Sequence, residues 1–138
     1  MLTGITLIEN FEHRSKFDTA PAAEQTVFIL GAIDVMVRSS ISDNATTWVP
    51  AENGGMQMVN KTAQRNYELV RFGLKGWENF KDQKGNDIVF KTVDKVVLGI
   101  THQVVADDVL MMIPPMVIGE LADELIKANT ATADLRKK

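Results

Sequence analysis

Two histidines, His13 and His102, and no cysteine make up the whole stock of imidazoles and thiols in this sequence. A thiolate nucleophile, a thiolate zinc site and a disulfide are excluded together. His102 stands beside Gly99, with Asp107 and Asp108 close in sequence, but no second histidine lies at metal-ligand spacing. It reads as a surface imidazole. The acidic pairs Asp107-Asp108 and Asp123-Glu124 are the remaining candidates for a metal or a catalytic dyad. Neighbours in sequence point apart on a helix, so these pairs suit a helix N-terminus and a solvated face. Gly54-Gly55 lacks the lysine and hydroxyl of a phosphate-binding loop. A nucleophile, a base and oxyanion donors cannot be assembled from this list, so neither catalysis nor a metal or cofactor is expected.

Binding chemistry is better supplied. Trp77 and Phe80 lie among Lys75, Lys81 and Lys84, where aromatic rings could stack bases. Glu78, Asp82 and Asp87 cancel that charge, and core aromatics flanked by solvated lysines describe the segment better. Met111, Met112, Ile113 and Met116 bracket Pro114-Pro115, while Met56 and Met58 sit by the glycine-rich loop. Flexible thioethers adapt to varied apolar partners, and these six residues are the candidate partner-binding positions.

Composition bounds the rest. A chain of 138 residues with 45% apolar and 24% charged side chains has the makings of one domain with a real core. A net charge of -3 argues against a broad phosphate-binding surface, and the basic Arg136-Lys137-Lys138 reads as a solvated tail. Met1 to Thr6 lacks the basic start and long apolar stretch of a signal peptide. The longest apolar run, Val109 to Ile118, is broken by two prolines and is too short for a bilayer. A soluble intracellular protein is expected, with neither membrane nor nucleic acid as a partner.

The elements that must position these residues follow from pattern. Ile5, Leu7 and Phe11 on odd positions predict a strand over Gly4–Phe11, followed by an irregular stretch from His13 to Glu24. Thr26–Leu30, closed by Gly31, predicts a second strand. Asp34 is placed to cap a helix whose Val37, Ile41 and Ala45 share a face, with Trp48 near the end of that stripe. Pro50–Met58, containing Asn53-Gly54-Gly55, reads as a loop. Asn60 caps a second helix with Ala63, Tyr67 and Val70 on one face, stopped by Gly73. Val93–Leu98 predicts a strand before Gly99. Asp107 or Asp108 starts a short helical turn through Met111, which Pro114 ends, and Pro115 opens a last helix. That helix turns Val117, Leu121 and Leu125 inward, with Ile118 and Ile126 beside them and Glu120, Asp123, Glu124 and Lys127 to water. The expectation is one α+β domain over 1–129, a short antiparallel sheet carrying about three helices, and a polar tail over 130–138.

The segment Gly73–Phe90 is the most distinctive. A helix runs into Gly73 and Gly76-Trp77, an Asp82-to-Gly85 turn follows, and a short apolar strand Ile88–Phe90 closes it. Trp77 is expected to pack between the second helix and that strand. This order resembles the tail assembly chaperones of tailed bacteriophages, on Gly76, Trp77, Asp82, Gly85, Ile88 and Phe90. Thr26–Leu30 followed by a helix resembles the opening of the same class, so the likeness runs from Thr26 to Phe90 with a gap at the loop. It implies a non-enzymatic morphogenesis protein that needs no cofactor and binds tape-measure and tail-tube proteins or further copies of itself. Such a protein works in the host cytoplasm during assembly, as a homo-oligomer or part of a larger complex. The alternative is a virion structural protein (a head–tail connector, tail or decoration subunit) that stays in the particle, and a nucleic-acid-binding regulator is a third class.

Overall fold

A computed structural model describes Leu2 and residues 7–135, including the side chains of all of these except 46–48, 58–60 and 131–135. Apolar, β-forming Val27–Leu30 makes the central strand β2, paired antiparallel on one side with β1 (Phe11–Arg14) and on the other with β5 (Leu74–Glu78). The register sets Phe11 opposite Leu30 and Phe28 opposite Trp77, with an irregularity between Ile29 and Leu30. Two hairpins form separate ladders: β3 (Thr46–Pro50) with β4 (Met56–Asn60), and β6 (Thr92–Val97) with β7 (Ile100–Val105).

Four helices accompany them among the described residues: α1 (Val35–Asn44), α2 (Thr62–Gly73), α3 (Asp107–Leu110) and α4 (Pro115–Leu135). The fold is a small α+β domain, as its patterning predicts. Asp34 caps α1 by accepting a hydrogen bond from the Met36 amide at 2.8 Å. The core joins β2, β7 and the inward faces of the helices, with Leu30, Val70, Val105, Leu110, Leu121 and Leu125 completely buried. Each buried leucine contributes about 1.5–3 kcal/mol relative to exposure, far more than helix propensity offers. No described helix is long and apolar enough to cross a membrane.

Several local expectations differ from the structure. The expected first strand lies partly outside the described residues, and regular pairing begins only at Phe11. Pro50–Met58 is not a loop throughout: only Ala51–Gly55 turns, with the Ala51 amide donating to the Gly55 carbonyl at 2.8 Å. The β-forming residues on either side of Asn53-Gly54-Gly55 outweigh the turn signal. Asn60 ends β4 instead of capping α2, whose N-cap Lys61 makes no side-chain cap bond. Ala63 is exposed, so the buried face of α2 is carried by Leu69, Val70 and Phe72. Ile88–Phe90 forms no strand. From Asn129 the chain stays helical to Leu135, because an established helix gains one bond for each residue it fixes. Residues 136–138 of the expected tail lie outside the described residues.

Candidate functional site

The Gly73–Phe90 block is held by its rings and its turn. Half-buried Trp77 meets Phe80 and Phe90 edge-on, each at 4.9 Å between ring centres, and Phe80 reaches Phe28 at 5.7 Å. The Trp77 indole N–H donates to the Ile88 carbonyl at 2.7 Å, which ties the Ile88–Phe90 segment to β5 without a ladder. Asp82 organises the turn by accepting from the Lys84 and Asn86 amides at 2.9 and 3.0 Å. The Gly85 amide donates to the Asp82 carbonyl, and Gly85 takes φ +83, which only glycine adopts without strain. Gly76 has no such requirement, since an added Cβ would meet Ile29 at an ordinary 3.6 Å. The rings are thus spent on one another, and Lys81 is paired with Asp87 at 3.3 Å.

The methionines divide. Met111, Met112 and Met116 are 58%, 48% and 63% exposed at the corner between α3 and α4. Ile113, expected on the same docking surface, is instead 1% exposed and belongs to the core. With Val109 and Leu110 it anchors the corner, so the segment alternates between holding the backbone and presenting thioethers. Met56 is exposed on the β3–β4 hairpin, whose principal neighbour outside its own ladder is α1, so it forms a second, separate surface. Met58 stands opposite Trp48 in that ladder, and the side chains of both lie outside the described set.

The titratable residues are structural ties. Asp107 pairs with Arg71 of α2, and Asp108 with Lys91, which clamps the start of α3 to its neighbours. The Lys91 ammonium holds the Asp108 carboxyl below its usual range. His102 is half-buried with its ring edge-on to Phe72 at 5.8 Å, so it is not a free surface imidazole. Glu120, expected to face water, is closed over by the N-terminal arm: His13 Nε2 lies 2.6 Å from its carboxylate, and the Lys16 amide donates to it at 3.3 Å. Among the described residues no three His, Asp or Glu side chains gather as a metal would need.

Two features escaped the sequence reading. Val96, Leu98 and Ile100 are exposed at the tip of the β6–β7 hairpin, where Leu98 takes φ +51 beside Gly99 at φ +80. The second is a pair of neighbouring hollows, one of about 250 Å³ between α1, α2 and α4 and one of about 400 Å³ between α1, α2 and β6, whose shared wall includes Arg65 and Ile41. Arginine spacing in separate helices carries no sequence signal for such a meeting. Comparison with protein families, with characterised proteins and with solved structures finds no significant match to this chain.

Proposed function

We propose that this chain is a non-enzymatic protein of tailed-phage morphogenesis, most like a tail assembly chaperone. In this reading it covers apolar stretches of the tape-measure protein and brings tail-tube subunits to it. The observation that carries the proposal is the α3–α4 corner. Three exposed methionines stand on a backbone fixed by buried Val109, Leu110 and Ile113 and framed by Pro114-Pro115. Adaptable apolar side chains on a rigid base suit partners of varied sequence. The exposed carboxylates of Asp107 and Asp108 beside them supply a polar rim. The resemblance carried by Gly76, Trp77, Asp82, Gly85, Ile88 and Phe90 gives the partner class.

Co-expression with a tape-measure protein tests it. The expected result is a tape-measure chain that stays soluble only with this partner, together with absence of this chain from purified particles by mass spectrometry. Stoichiometric presence in particles would assign it to the virion instead. Binding of duplex DNA at physiological salt, micromolar or tighter, would overturn the assembly reading.

A further inference from the structure

The smaller hollow between α1, α2 and α4 has two arginines in its wall, Arg38 and Arg65, and, among the described residues, no carboxylate. Its floor is aliphatic, built from Ile33, Ile41, Leu69 and Leu125. Among the described residues Arg38 makes no ion pair, and its Nε–H is buried without an acceptor. Arg65 gives Nε and Nη2 to one neutral atom, Asn66 Oδ1, at 3.4 and 3.0 Å. The adjoining hollow adds Lys61 and Lys95 against, among the described residues, a single carboxylate, Glu68. Glu68 is already held by Arg71 at 3.1 Å and Lys95 at 3.4 Å. In a chain of net charge -3, this seam therefore concentrates unanswered positive charge. A buried donor without an acceptor is a standing cost in the folded chain.

We propose that the Arg38–Arg65 hollow binds a carboxylate carried on a short aliphatic body. A guanidinium fork matches the two oxygens of a carboxylate, and the aliphatic floor takes the carbon chain behind it. At about 250 Å³ the space suits one such group and falls below the usual range of pockets for larger ligands. Ile41 and Ser42, also in its wall, lie in the last turn of α1, where the helix dipole opposes any anion, and opposes a dianion such as phosphate more than the single charge of a carboxylate that the two arginines must hold. This chemistry has two sources: a glutamate side chain of another polypeptide, or a free small carboxylic acid. The site is distinct from the methionine corner and does not depend on its role.

The test follows the arginine Nε–H signals by NMR in the whole chain. The probes are 4-methylpentanoate, the peptide acetyl-Ala-Glu-Leu-Ala-amide, its glutamine counterpart, inorganic phosphate, and sodium chloride at matched ionic strength. A saturable shift of the Arg38 signal with 4-methylpentanoate or the glutamate peptide, and not with the other three, is expected. Arg38→Met and Arg65→Met should each weaken binding about tenfold or more. Arg38→Lys retains charge without the fork and should also weaken it by about tenfold, which decides the matter if a methionine variant fails to fold. Tighter binding of the glutamate peptide identifies a polypeptide as the source, and tighter binding of 4-methylpentanoate identifies a free acid. Shifts that do not saturate, that chloride or phosphate reproduces, or that survive Arg38→Lys undiminished overturn the proposal.

Discussion

The Cβ that Gly73 lacks would stand 2.5 and 2.6 Å from the two Cδ methyls of Leu125. Gly73 ends α2, as its position predicts, but its φ is not left-handed. Its service is to let α2 and α4 approach. Gly73→Ala should therefore destabilise by about 1–3 kcal/mol through overpacking. Leu125→Ala alone should cost about 2–5 kcal/mol by leaving a cavity. The double variant should cost clearly less than the sum, because each change relieves the other. Urea unfolding of the four proteins measures this, and strict additivity would refute the contact.

Trp77 anchors its block through ring packing and one hydrogen bond. Trp77→Ala should cost about 3 kcal/mol, the low end for a large aromatic because the indole is only half-buried. Trp77→Phe keeps a ring between Phe80 and Phe90 but leaves the Ile88 carbonyl without its indole donor, at about 0.5–1.5 kcal/mol. An unchanged urea midpoint for Trp77→Ala would make the indole a surface group.

Asn129 is buried on α4, accepting from the Ile33 amide at 3.1 Å and donating to the Leu125 carbonyl at 2.8 Å. Asn129→Leu keeps the bulk but orphans the Ile33 N–H, at about 1–3 kcal/mol. Faster hydrogen exchange at the Ile33 amide is the local readout. An exchange rate equal to that of the unaltered protein would show that this bond is not formed.

Lys75 has its amine pushed below the usual lysine value by burial, while its ammonium donates to the Phe72 carbonyl at 2.9 Å. In the window just under 10.5 the folded chain holds this proton less tightly than the unfolded chain does. The unfolded state binds more protons there, so this residue makes stability rise with pH through that window. Carbon-13 dimethylation of the lysines should show Lys75 titrating below the exposed ones. Lys75→Met should remove the rise, and a Lys75 signal titrating with the others would contradict it.

Met111→Lys with Met116→Lys tests the corner. Both side chains project outward, so stability should change by no more than about 0.5 kcal/mol per site. Self-association or tape-measure binding should disappear, as seen by light scattering and co-purification. Unfolding of the double variant would place these methionines in the core.

What the sequence determined by itself is local. Val27–Leu30 is legible because β-forming residues fill it, and the α1 cap because Asp34 bonds an amide two residues on. The Asp82–Gly85 turn and the α3–α4 break depend on short-range bonds and proline sterics, which neighbours in sequence settle. The exposed corner was legible as a cluster of methionines, but Ile113 was not separable from it, since alternation of inside and outside there follows from where α4 docks. Glu120 looks solvent-facing by helical period, yet His13, 107 positions away, closes over it. Asn129 reads as the start of a polar tail until Ile33, 96 positions away, supplies an amide that must be satisfied. Gly73 reads as a stop signal until Leu125 arrives beside it. Arg38 and Arg65 come to one hollow only because α1, α2 and α4 pack together. Periodicity assigns a residue to a face of its own element, and only tertiary packing decides what that face meets.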